Sequence, residues 1–149
     1  MKVHLAATGY IFFQNKVLLA HHNKLNIWLP IGGHIEANET PDQALKREVK
    51  EETNLDIAIL NQSDILSEGN VKKSLAAPFY VNVHSVGNHF HCSLFYVCRA
   101  LNPHNIGINE ELKNYGWFTK EDLNKEIVPV DVKNQAGKAF VIWRKTKTN

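Results

Sequence analysis

The sequence predicts an α/β (α+β) fold, as one domain over residues 1–149. Three observations carry that prediction. Strand-type apolar runs recur along the chain, from Leu5 to Phe13, Lys16 to His21, Ile57 to Leu60, His89 to Arg99 and Tyr115 to Phe118. One strongly capped helix opens at Thr40, between the early and the late runs. Near the C-terminal end, Ala136, Ala139, Phe140 and Trp143 recur at helical spacing, the mark of an amphipathic helix against a sheet.

Taken in order, Leu5–Phe13 and Lys16–His21 form a hairpin across Gln14-Asn15. A polar loop from His22 to Asn26 leads to a short strand, Trp28-Leu29-Pro30, and Gly32-Gly33 reads as a turn that lets the backbone approach a ligand closely. The helix begins with Thr40 as N-cap, Pro41 at N1 and Gln43 at N3, a capping box. Leu45 and Val49, one turn apart, face the core. Asn54 suits the left-handed residue that ends the helix, where Gly is commoner. Ser67 to Ser85 is the least patterned stretch, and its Phe79 and Tyr80, beside Pro78, suit satellite core. His89 and His91 share one side of their strand at a metal-compatible spacing, with no third ligand nearby in sequence. Thr119-Lys120-Glu121-Asp122 is a capping signature for a short helix.

Composition narrows the class. Hydrophobic content of 44% and charged content of 21% are those of a globular protein with a proper core. A net charge of +2 is too mild to make nucleic acid the main partner, and the basic residues cluster only at Lys72-Lys73 and Arg144-Lys145-Lys147. No apolar run is long enough to span a membrane, and Met1–Phe13 reads as core strand rather than as a signal segment. Cys92 and Cys98 would lie about 20 Å apart along one strand, beyond disulfide reach, which favours a reducing, cytoplasmic address.

The chemistry is concentrated between Gly32 and Leu55. Glu48, Glu51 and Glu52 stand at i, i+3 and i+4, on one face of the helix. Like charges at that spacing weaken a helix by a few tenths of a kcal/mol per pair. A hard divalent cation among the oxygens removes the conflict, and an all-carboxylate set suits Mg²⁺ or Mn²⁺. Arg47, four residues before Glu51, is placed to pair with it.

These residues resemble the Nudix box. Its fixed places fall on Gly33, Glu39, Arg47, Glu48, Val49, Glu51, Glu52 and Leu55, with Asn54 where the family has Gly. The resemblance implies an α/β/α sandwich around a mixed sheet. It also implies Mg²⁺-dependent hydrolysis of a nucleoside diphosphate linked to another group X, giving a nucleoside monophosphate and phosphorylated X. By the same resemblance Glu48, Glu51 and Glu52 are metal ligands together with the Gly32 carbonyl, Arg47 orients a glutamate, and Glu36 and Glu39 stand near the substrate. Glu48 is the favoured general base, with Glu110 and Glu111 as alternatives. A catalytically silent nucleotide-binding or sensor domain is the rival reading, and RNA-end processing by the same chemistry a weaker one. A homodimer is compatible with the sequence.

Overall fold

The computed structural model describes residues 1–147, with side chains as far as Thr146, so the side chain of Lys147 in the basic tail lies outside the described residues. β1 (Val3–Phe13) turns into β2 (Lys16–His22), with Gln14 rather than Asn15 left-handed at φ 55. The two strands pair only beside the turn, Phe12 with Val17 and Phe13 with Lys16. Beyond it they part and two short strands fill the gap: β3 (Trp28–Leu29) pairs with β2, and β4 (Ile31–His34) pairs with β1.

The expected Gly32-Gly33 turn is therefore a strand, with Gly32 opposite Thr8 and Gly33 opposite Ala7. What demands glycine is close approach: a Cβ on Gly32 would sit 2.4 Å from the Ala7 carbonyl oxygen.

α1 (Pro41–Thr53) starts as its capping box predicts. Thr40 Oγ1 accepts from the Gln43 N–H at 3.4 Å, and Gln43 Oε1 accepts from the Thr40 N–H at 3.0 Å. It ends on Asn54, left-handed at φ 62, whose N–H donates to the Lys50 carbonyl at 2.9 Å. The Asn54 side chain also donates to the Asn105 carbonyl at 3.1 Å, a contact Gly would lack. Asn54→Ala is accordingly expected to cost about 1 kcal/mol, because Ala keeps the left-handed Cβ but loses the side-chain bond and the tolerance of that region that Asn brings. Asn54→Gly is expected to stay within about 0.5 kcal/mol of the parent, since relief of the Cβ offsets the lost bond. Urea unfolding of both variants measures the difference.

The remaining elements are β5 (Ile57–Ile59), β6 (Tyr80–Ser85), β7 (Phe90–Ala100), β8 (Leu112–Phe118) and α2 (Val130–Lys147). β8 begins three residues before the expected Tyr115, because Leu112 continues the ladder on β2 opposite His22. The sheet runs β3-β2-β1-β7-β5, with β4 on β1, β6 on β7 and β8 on β2. It is mixed: β1 and β7 are parallel and the other pairs antiparallel.

Alternation along β1 divides the core into two layers. Ala7 and Ile11 join Leu45 and Val49 of α1, together with Tyr96 and Cys98. Tyr10 and Phe12 join Ala136, Ala139, Phe140 and Trp143 of α2, with the Trp143 ring stacked on Phe12 at 5.1 Å. The helices thus cover opposite faces, giving an α/β/α sandwich. Phe79 meets Tyr10 edge-on at 6.1 Å and Tyr80 lies 5.5 Å from the Phe95 ring, so these aromatics pack on the sheet rather than in the cleft described below. Around the turn Glu121–Asn124, the Asp122 N–H donates to Thr119 Oγ1 at 3.2 Å and the Thr119 N–H to Asp122 Oδ2 at 2.9 Å, the predicted capping pattern on a 3₁₀ turn. Cys92 and Cys98 are free. No described helix is long and apolar enough to cross a membrane.

Candidate active site

Where β1 and β2 part, the sheet leaves a cleft of about 930 Å³, large enough for a nucleotide-sized ligand. Gly32 and Gly33 of β4 form part of its floor, Glu48, Glu51 and Glu52 of α1 enter from one side, and Asp131 and Gln135 of α2 close another. The loop before β8 brings in Asn109 and Glu111. That loop is tied to the end of α1, because the Gly107 and Asn109 N–H groups donate to the Thr53 and Glu52 carbonyls at 2.9 and 3.1 Å. Those carbonyls have no partner inside the helix, so the loop satisfies them and is placed by doing so.

Glu48 lies against the Gly33 backbone. A Cβ on Gly33 would fall 2.4 Å from the Glu48 carboxyl carbon, so the second glycine makes room for a carboxylate where the first makes room for a strand.

Arg47 organises the acids differently from the expected i,i+4 pairing. Its contact with Glu51 is the long one, 3.4 Å. The main partner is Glu39, held at both oxygens: Nε donates to Oε2 at 2.7 Å and Nη2 to Oε1 at 2.9 Å. Nη1 donates to Glu48 Oε1 at 2.9 Å and Nη2 to the His34 carbonyl at 3.0 Å. Glu39 also accepts the Glu36 N–H at 2.9 Å. The Arg47 bonds, with help from that N–H, hold the Glu39 carboxyl down at about 2, and the Arg47 guanidinium is correspondingly raised. Arg47 thus fastens the loop before α1 and the end of β4 to the acidic face. A guanidinium fork does this and an ammonium does not. Arg47→Lys is expected to lower turnover by about 10–10²-fold with little loss of secondary structure, measured by steady-state kinetics beside circular dichroism.

Glu52 is the unusual acid. It is almost wholly enclosed, at 9% exposure. Burial first, then the neighbouring Glu48, Glu111 and Glu51 carboxylates, push its carboxyl up to about 9. A bound cation would relieve both causes, since it would offset the like charges and solvate the buried oxygens. The donors are all oxygen, as hard divalent ions require. Of the alternative bases, Glu111 faces the cleft and Glu110 does not. The side chains of Glu36 and Glu39 do not line it either, since Glu39 is committed to Arg47. Cleft residues that sequence reasoning did not single out include His34, Asn109, Asp131 and Gln135. Their positions depend on strand register and on the packing of α2, which no local pattern reports.

A capped acidic helix on a mixed α/β/α sheet, aimed into a cleft where two strands part, defines a carboxylate-lined site. Comparison with known proteins says which kind. The NUDIX domain profile matches residues 2–140. A Clostridium perfringens hydrolase of the NUDIX family is 30% identical and superimposes with a TM-score of 0.83, over 96% of this chain and 99% of that one. The Caenorhabditis elegans Ap4A hydrolase, at 19% identity and TM-score 0.69 over 95% and 98% of the two chains, shares the fold. Among curated sequences, the NAD-capped RNA hydrolase NudC of Vibrio atlanticus is 46% identical over 46 residues, which span 30% of this chain but only 17% of that protein. The chain belongs to the Nudix family.

Proposed function

We propose that this chain, as a single domain, hydrolyses the pyrophosphate linkage of a nucleoside diphosphate derivative with Mg²⁺ or Mn²⁺, releasing a nucleoside monophosphate and phosphorylated X. The observation that carries the reading is the buried Glu52 carboxyl among Glu48, Glu51 and Glu111. Glu48, Glu51, Glu52 and the Gly32 carbonyl are the groups that would hold the cation. When bound, it would neutralise the phosphate oxygens that otherwise repel a nucleophile and would acidify water.

The chain's own residues supply the rest. Arg47 and Glu39 keep the acidic face from turning away, and Gly33 keeps Glu48 at the cleft wall. Glu48 takes the proton from the attacking water, and Glu111 is the alternative acceptor. Glu111→Gln separates them: a loss near 10²-fold or more assigns the proton to Glu111, and near-parent turnover leaves it with Glu48. A nucleotide substrate and a cytoplasmic address accord with the cleft size and the free thiols.

The test is a hydrolysis screen over oxidised nucleoside triphosphates, dinucleoside polyphosphates and nucleotide sugars, with Mg²⁺ or Mn²⁺ and product identification. Metal-dependent release of a nucleoside monophosphate is the expected result. Binding without turnover across the panel would instead make the chain a nucleotide sensor.

A further inference from the structure

Five of the eight histidines of this chain gather on one patch of the sheet. The ladders pair His4 of β1 with His91 of β7, and His91 with His84 of β6. His34 of β4 lies opposite Ala6, on the same face as His4 by strand alternation. His89 precedes β7 by one residue and shares the side of His91. The rings touch accordingly: His4 and His89 are 4.4 Å apart between centroids, His4 and His34 5.2 Å, and His34 and His91 4.7 Å.

We propose that His4, His34 and His89 form a second metal site, distinct from the carboxylate centre, for a Zn²⁺-class transition-metal ion. One ring nitrogen from each lies within 4.8 Å of the others. Bonds of 2.0–2.1 Å in a tetrahedron require donors roughly 3.3 Å apart, a closure that rotation about broad imidazole torsions supplies.

The hydrogen bonds leave the required lone pairs. His89 Nδ1 lies 2.7 Å from the Asn88 side-chain oxygen, an acceptor, so Nδ1 carries the proton and Nε2 is bare. That Nε2 is enclosed and has no partner among the described residues. A buried acceptor left unmade is costly, and a cation is the partner it lacks. His34 Nε2 lies 2.9 Å from His91 Nε2. The tautomer in which His34 donates leaves its Nδ1 free for the metal, with His91 orienting the ring as outer supports of metal-bound histidines do. Burial first, and then the neighbouring histidines, hold His89 and His91 below the usual range, His91 at about 4.

Alternation along β4 separates the two centres. Gly33 meets Glu48 on the α1 side, and the adjacent His34 projects from the other. They differ in chemistry as well, because imidazole nitrogen suits Zn²⁺ and an all-carboxylate set suits Mg²⁺. His4 is exposed, so one coordination position faces water.

The experiment is isothermal titration of the untagged, EDTA-stripped full chain with Zn²⁺ in excess Mg²⁺, with Co²⁺ as the spectroscopic probe. One Zn²⁺ per chain is expected, and Co²⁺ should give the intense visible bands of a four- or five-coordinate nitrogen site. His4→Ala and His89→Ala should each weaken Zn²⁺ at least about 10²-fold, and Asn88→Ala about 10-fold by releasing the tautomer. Glu52→Gln should leave Zn²⁺ affinity unchanged. His4 is exposed, so its truncation leaves the fold intact, which circular dichroism checks. The proposal is overturned by an absence of stoichiometric Zn²⁺ in excess Mg²⁺, by binding that survives both histidine changes, or by binding lost with Glu52→Gln.

Discussion

Glu52→Gln is expected to slow hydrolysis by about 10²–10³-fold while making the metal-free protein more stable. The kinetic loss is that of one preorganised group facing the developing charge. The stability gain has the opposite origin. Burial and three neighbouring carboxylates lift the Glu52 carboxyl to about 9 from an ordinary 4.5. Below 4.5 both folded and unfolded chains carry the proton, so pH has no leverage through this group. Between 4.5 and 9 the unfolded chain ionises and the folded one does not, so stability without metal falls as pH rises through that window. Glutamine abolishes the dependence. At about pH 8 in EDTA the variant should melt roughly 2–8 °C above the parent, as 1–2 kcal/mol implies for a domain of this size. Added Mg²⁺ should narrow the gap, because the parent gains a bound ion that the variant holds less well. Melting curves with and without Mg²⁺ across pH check this. A parent whose stability rose between about pH 5 and 8 without metal would contradict the placement of Glu52.

The adjacent glycines should fail in different ways. Gly33→Ala puts a methyl 2.4 Å from the Glu48 carboxyl carbon and 2.6 Å from both its oxygens. The obstacle is the end of a flexible side chain, so the fold should survive and Glu48 should swing out. Turnover should fall about 10²-fold, the scale of a catalytic group misplaced by an ångström, with a melting temperature near the parent's. Gly32→Ala meets the Ala7 carbonyl oxygen at 2.4 Å and the Thr8 Cα at 2.7 Å, and backbone does not rotate away. It should cost about 1–3 kcal/mol by displacing β4 from β1. Equal melting temperatures for the two variants would show that the Gly32 approach to β1 is not as close as the geometry implies.

Much of the site was legible in sequence because its parts are near neighbours. Thr40, Gln43 and Asn54 act on backbone within a turn of themselves, and Glu48, Glu51 and Glu52 share a face through helical period alone. The role of Glu39 was not legible, because its salt bridge to Arg47 spans eight residues and depends on how the loop folds back over α1. Gly32-Gly33 misled for a related reason. Glycine pairs commonly mark turns, and here they mark two close approaches across a sheet. Phe79 and Tyr80 gave a weaker signal, since an aromatic that stacks on sheet and one that stacks on a base look alike in one dimension.

The sequence by itself determined the helix, its caps, its acidic face, its apolar face and the strand-rich context, all consequences of backbone period and of groups that bond close by. Only the tertiary structure decided that Glu111 rather than Glu110 faces the acids, that β1 and β2 part to open a cleft, and that His4, His34 and His89 meet. Those facts depend on which strands pair and in what register. Register is fixed by burying the two apolar faces of β1 under different helices, a sum over the whole core that no single stretch contains.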